Sequence, residues 1–120
     1  QAMADKTHEM IFANLCNADM VGHTGNFPAI VTSVETIDEC LGRISEAAQA
    51  HGFELMITAD HGNAEELKTS HTINPVPLII QSRHFRELKR DEAGLVDIAP
   101  TILKILEITQ PKEMTGKSLV

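Results

Sequence analysis

Phe53-Glu54-Leu55-Met56-Ile57-Thr58-Ala59-Asp60-His61-Gly62-Asn63 joins a short apolar run to a polar, glycine-containing turn. The run predicts a buried strand, and the Asp-His pair then stands at its carboxyl end. Just upstream, Ile30, Val34, Ile37, Leu41, Ile44 and Ala48 recur at intervals of three or four, opened by Asn26 and Pro28 and closed near Gly52. That spacing predicts an amphipathic helix. Residues 10–15 form another apolar run, which predicts a buried strand emptying through Asn17 toward Asp19. Downstream, Pro75 and Pro77 exclude regular helix and suit a strand entry, so residues 76–80 predict a third strand. Residues 95–106 have helical apolar spacing, with Pro100 either near the first turn or bending the helix. The alternation predicts an α/β fold, a mostly parallel sheet with helices on both faces, whose ligands gather beyond the carboxyl ends of the strands.

Chemistry-bearing residues fall where that fold would use them. Asp19-Met20-Val21-Gly22-His23 and Asp60-His61-Gly62-Asn63 each pair a carboxylate with an imidazole in a short turn, and His71 follows in Ser70-His71-Thr72. Carboxylate oxygen and imidazole nitrogen together suit divalent cations such as zinc or manganese, and the lack of a thiolate cluster argues against a structural zinc knot. Asp19, His23, Asp60, His61 and His71 are therefore the candidate metal ligands. Gly22 and Gly62 are expected to permit the tight turns that bring them inward.

Composition narrows the function. A chain of 120 residues that is 42% hydrophobic can bury one core, so a single globular unit is expected, with no repeat, linker or second domain. Its net charge of −7, without a basic run, argues against a nucleic-acid or anionic-membrane partner and favours a small molecule. No apolar run approaches a membrane span, and the first residues lack the plan of a signal peptide, so an intracellular, cytoplasmic protein is expected. Cys16 and Cys40 have no Cys-x-x-Cys spacing and are expected as reduced, packed thiols. Residues 83–92 are charge-dense and read as a solvated loop.

Five blocks sharpen the picture: Asp-Met-Val-Gly-His-Thr-Gly-Asn at 19 to 26, Thr-Ala-Asp-His-Gly-Asn-Ala-Glu at 58 to 65, His-Thr-Ile-Asn-Pro-Val-Pro at 71 to 77, Asp-Ile-Ala-Pro-Thr-Ile-Leu at 97 to 103 and Glu-Met-Thr-Gly-Lys-Ser-Leu at 113 to 119. In content and order they closely resemble the cofactor-independent (2,3-bisphosphoglycerate-independent) phosphoglycerate mutases of the alkaline phosphatase superfamily. The chain is similar to the C-terminal part of their phosphatase-like domain. The resemblance implies that Asp19, His23 and His71 hold one metal ion and that Asp60 and His61 hold a second. The metal it implies is Mn2+, with Mg2+ as a substitute, and no 2,3-bisphosphoglycerate is needed. It also implies a serine nucleophile and a substrate-binding domain from elsewhere in a longer polypeptide. None of Ser33, Ser45, Ser70, Ser82 and Ser118 falls in a block that matches that nucleophile, so no catalytic nucleophile is expected here and the isolated chain is expected to be inactive.

Other outcomes fit some of the same residues. A phosphopentomutase, phosphatase or sulfatase of the same superfamily would share the Asp-His pairs, and a non-catalytic metal-binding module would need no partner segment. The Met-Val-Gly-His and Gly-Asn-Ala-Glu contexts favour the mutase. His8, His51 and His84 lack a motif and read as surface residues. Asn63 and Glu65 read as structural residues of the turn, and Thr24 and Asn26 as helix-start residues. Nine residues separate His61 from His71, a short loop for this family resemblance.

Overall fold

A computed structural model describes residues 1–66 and 68–120. Its elements run α1 (Ala2–Asp5), α2 (Asn17–Gly22), α3 (Phe27–His51), β1 (Leu55–Thr58), β2 (Leu78–Gln81) and α4 (Ile98–Ile105), with a 3-10 turn at Leu95–Asp97 leading into α4. Instead of the single unit expected from composition, the chain divides into two compact units, Gln1–Gln81 and Ser82–Val120. The charge-dense stretch beyond Ser82 contains neither helix nor strand, so no regular element carries the first unit into the second.

The first unit is organised by α3. The Asn26 side chain accepts a hydrogen bond from the Ala29 N–H at 3.2 Å, and Pro28 occupies the first turn, where its missing N–H costs nothing. Gly52 ends the helix in the left-handed region at φ 79°, its N–H returning to the Ala48 carbonyl. Ile30 and Ala48 are buried on the inner stripe, while Val34 on the same heptad-like series stays exposed. From α3, the Ser45 hydroxyl donates to Gln81 Oε1 at 2.8 Å and ties the helix to β2.

The sheet differs from expectation. β1 and β2 pair antiparallel, Leu55 against Gln81 and Thr58 against Leu78, and they are the ladder among the described residues. A parallel pair needs a crossover, usually helical, and among the described residues no helix lies between β1 and β2. The chain instead doubles back, and an isolated antiparallel bridge between Gly62 and Thr72 prolongs the pairing past the end of β1. The described residues thus form an α/β unit with an antiparallel pair, and the mostly parallel sheet read from the alternating pattern is not seen among them.

Residues 10–15 are corrected too. They form no strand, and Met10, Ile11, Phe12 and Leu15 are exposed, Phe12 by 83%. A strand is stabilised by its ladder, and no described residue pairs with this run. Asp19 accordingly lies in the first turn of a short helix, α2, rather than directly at a strand's end. Cys16 just before it is exposed rather than packed; Cys40 is half-buried, and both are free thiols.

In the second unit Pro100 falls in the first turn of α4, so the helix begins there without a bend to explain. Thr101 is fully buried: its hydroxyl donates to the Asp97 carbonyl at 2.6 Å and accepts the Leu119 N–H at 3.0 Å. Leu119 and Val120 are buried with it. Arg90, expected in a solvated loop, instead pairs with the buried carboxylate of Asp97 at 2.8 Å. Because Leu119 has 0% exposure, Leu119→Ala is expected to lower unfolding free energy by about 3 kcal/mol through lost burial and a residual cavity. Urea unfolding checks this; a loss below about 1 kcal/mol would mean that the site collapses or that the C-terminal strand of contacts is dispensable.

Candidate metal centre

Three loops of the first unit meet around Asp19. In the first turn of α2 its carboxylate sits where the helix's free N–H groups favour negative charge. One turn later, His23 brings Nε2 to 3.4 Å from Asp19 Oδ1, the separation that an i, i+4 pair allows. The bridge between Gly62 and Thr72 closes the second and third loops onto each other. Its flanking residues His61 and His71 consequently stack, ring centroids 3.6 Å apart and planes 17° from parallel. His71 then places Nε2 3.4 Å from the same Asp19 oxygen.

The short loop between the two histidines is what makes this possible. Nine intervening residues, pinched at one end by a bridge, leave His71 no room to wander from His61. Asp19, His61 and His71 offer one donor atom each within 4.8 Å of one another. His23 adjoins this trio through Asp19 and lies 5.1 Å from His71 between ring centroids. Asp60 adjoins it through His61, Oδ1 to Nε2 at 3.7 Å, with its side chain 84% exposed. All five sequence-derived candidates therefore lie on this cluster, with Asp60 at its rim.

Hydrogen bonds select which imidazole nitrogens remain available. His23 Nδ1 is 2.9 Å from the Thr69 carbonyl, which only accepts, so in the neutral ring Nδ1 carries the proton and Nε2 keeps its lone pair. His61 repeats the pattern with its own neighbour, Nδ1 to the Gly62 carbonyl at 3.3 Å. Both Nε2 atoms thereby keep lone pairs that a cation beside the carboxylates could take. One carboxylate oxygen and imidazole nitrogens at this spacing fit a divalent transition ion better than an all-oxygen Ca2+ or Mg2+ cage.

Two residues read from sequence as parts of a turn do more. Asn63 is 4% exposed, and its Nδ2 donates to Asp19 Oδ1 at 2.7 Å. This hydrogen bond is the main reason that the Asp19 carboxyl lies below its usual range, with His23, His71 and His61 adding to it and burial opposing. Glu65 accepts the Asn63 N–H at 2.7 Å on one oxygen and the Thr72 hydroxyl on the other. The Thr72 hydroxyl foremost, then Glu65's own backbone N–H, the Asn74 side chain and the Asn63 N–H, hold the Glu65 carboxyl at about 2 against the opposing effect of burial. Glycine is needed here for close approach rather than for a turn. A Cβ on Gly22 would lie 2.3 Å from Asn63 Oδ1, and one on Gly62 would lie 2.2 Å from Glu65 Oε1 and Thr72 Oγ1. Neither glycine has positive φ. The sequence signal available for Asn63 was its place beside Asp-His-Gly, which does not reveal a partner 44 residues away.

An Asp-His cluster able to hold a divalent metal, set on an α/β unit, points to a class of metal-dependent proteins, and comparison with known proteins agrees with it. The chain belongs to the Metalloenzyme superfamily, whose family model matches residues 1–110. It is 48% identical over 120 residues to the 2,3-bisphosphoglycerate-independent phosphoglycerate mutase of Moorella thermoacetica, a match covering 94% of this chain and 23% of that protein. The enzymes of the same name from Prochlorococcus marinus and Thiobacillus denitrificans are 46% and 45% identical, over 94% and 99% of this chain and 24% and 25% of theirs. The chain thus spans about a quarter of the length of the curated relatives that it matches.

Proposed function

We propose that these residues are the metal-binding loops of a 2,3-bisphosphoglycerate-independent phosphoglycerate mutase, acting within a longer polypeptide that interconverts 3-phosphoglycerate and 2-phosphoglycerate. The observation that carries the proposal is the meeting of Asp19, His61 and His71 donor atoms within 4.8 Å, in a chain 45–48% identical to enzymes of that name. In this reading Asp19, His23 and His71 hold one Mn2+, Asp60 and His61 contribute to a second, and Mg2+ can substitute. Bound divalent ions supply Lewis acidity toward phosphoryl oxygens and toward a coordinated hydroxyl.

The chain's own part is to gather and orient donors. Asp19 and Asp60 contribute negative charge that offsets the cations, and the imidazoles coordinate in their neutral form, so binding weakens as acid competes for the donors. The nucleophilic serine and the glycerate-binding groups belong to the remainder of the polypeptide. Within the complete polypeptide a mostly parallel sheet with helices on both faces would form, and residues 10–15, which form no strand in this chain, would be covered by it. The setting is the cytoplasm and the pathway glycolysis and gluconeogenesis; among the described residues no helix is long and apolar enough to cross a membrane.

The complete protein is expected to convert 3-phosphoglycerate to 2-phosphoglycerate with Mn2+ and without 2,3-bisphosphoglycerate, and to stop when the metal is chelated. The 120-residue chain alone, given Mn2+, is expected not to turn over. Mutase activity at an ordinary enzymatic rate in the isolated chain would refute the division of labour. A complete protein that hydrolyses phosphate esters but never isomerises phosphoglycerate would refute the function.

A further inference from the structure

Asn63 is the residue through which the three ligand loops communicate, and it is no ligand in the assignment above. Its side-chain amide donates to Asp19 Oδ1 at 2.7 Å and lies 3.4 Å from His23 Nε2, so one group touches both donors of α2. Its backbone N–H donates to Glu65, whose other oxygen takes the Thr72 hydroxyl beside His71. The path Asp19, Asn63, Glu65, Thr72 therefore spans all three loops by hydrogen bonds.

The amide's orientation is dictated by what it faces. Turning it over would set its oxygen 2.7 Å from a carboxylate oxygen, two acceptors in contact. In the orientation found, Oδ1 is buried and has no hydrogen-bond partner among the described residues. Leaving a buried carbonyl oxygen unmatched is costly, and the fold accepts it in exchange for the contact with Asp19. Room for this arrangement comes from Gly22, since any side chain there would collide with Oδ1.

Resting on the metal reading given above, we infer that Asn63 is a positioning residue for the metal centre: its amide holds the Asp19 carboxylate toward the imidazoles before a cation arrives, and Gly22 is required because it admits that amide. Such outer hydrogen bonds typically contribute ten- to hundredfold in metal affinity. A residue of purely structural importance would change stability without this specific coupling.

The test is a thermodynamic cycle on the complete protein, read by the loss of the free Mn2+ electron paramagnetic resonance signal on titration, with thermal unfolding measured alongside. Asn63→Ala is expected to weaken one Mn2+ equivalent about ten- to hundredfold. Gly22→Ala, which alters no ligand, is expected to weaken it comparably by displacing the amide. The double variant is expected to be no weaker than the more affected single variant, because the group that Gly22→Ala displaces is already gone. Additive losses, or Asn63→Ala binding Mn2+ as the wild type does, would overturn the inference while leaving the metal centre intact. Wild-type protein that takes up no Mn2+ would remove the metal reading itself, and this inference with it.

Discussion

Asp19→Asn lowers Mn2+ affinity by more than about a hundredfold, a larger loss than the ten- to hundredfold expected for an outer partner such as Asn63. The reason is its central place. A single oxygen, Oδ1, lies 3.4 Å from both His23 and His71 and 2.7 Å from the Asn63 amide. It is also the carboxylate of the trio whose donors lie within 4.8 Å of one another. The amide of Asn has nearly the same shape but no charge, so what remains for a dication is a set of neutral imidazoles. Asp60→Asn, at the exposed rim, is expected to cost less. His8→Ala and His51→Ala, at exposed positions that carry no motif, are expected to leave binding unchanged. Mn2+ titration by paramagnetic resonance orders these variants, and an Asp19→Asn protein that titrates like wild type would show that the metal is held elsewhere.

What could be read from sequence was the part that local periodicity encodes. The apolar positions from Ile30 to Ala48, with Asn26 as cap and Gly52 as stop, give α3 without reference to any distant residue. β1 lies within the stretch that its apolar run marked, and β2 starts two residues later and ends one residue later than the expected 76–80. Residues 10–15 show the limit of such signals. Their apolar character describes a strand that could be buried, yet burial needs a ladder and a covering layer, and neither is encoded in the run itself.

The direction of pairing was hidden for a related reason. Whether residues 59–77 cross over or double back depends on the bridge between Gly62 and Thr72, a contact over ten positions that no periodicity announces. Motif spacing did mark the five candidate residues that the structure brings together, since Asp-His pairs beside glycine are recognisable as chemistry. It could not show that His61 stacks on His71, or that Asn63 crosses 44 positions to reach Asp19. The blocks at 97 to 103 and 113 to 119 carry no candidate ligand; they meet each other instead, through Asp97 with Lys117 and Thr101 with Leu119.

That meeting makes the second unit sensitive to acid. Asp97 is 5% exposed, and its carboxylate accepts the Gly94 N–H at 2.9 Å, the Lys117 N–H at 2.7 Å and an Arg90 Nη2 hydrogen bond at 2.8 Å. The Gly94 N–H first, then the Lys117 N–H and the Arg90 guanidinium, hold its carboxyl at about 2 against the opposing effect of burial. Because about 2 in the folded chain lies below the ordinary 3.8, the folded state binds this proton less readily than the unfolded one. The stabilisation is therefore complete above the unfolded value, diminishes as pH falls below it, and is gone once pH has passed below the folded value. Asp97→Asn is expected to remove most of this acid dependence and to weaken the unit already at neutral pH, since an amide cannot accept three donors as a carboxylate does. Exchange of the Lys117 and Leu119 backbone N–H groups, followed by nuclear magnetic resonance, gives the local readout. In the variant it is expected to quicken roughly tenfold or more at pH 7, the scale set by hydrogen bonds to a charged acceptor. If Lys117 and Leu119 exchange as slowly in Asp97→Asn as in the wild type, the carboxylate does not hold the chain's last residues in place, and burial of Leu119 must do so alone.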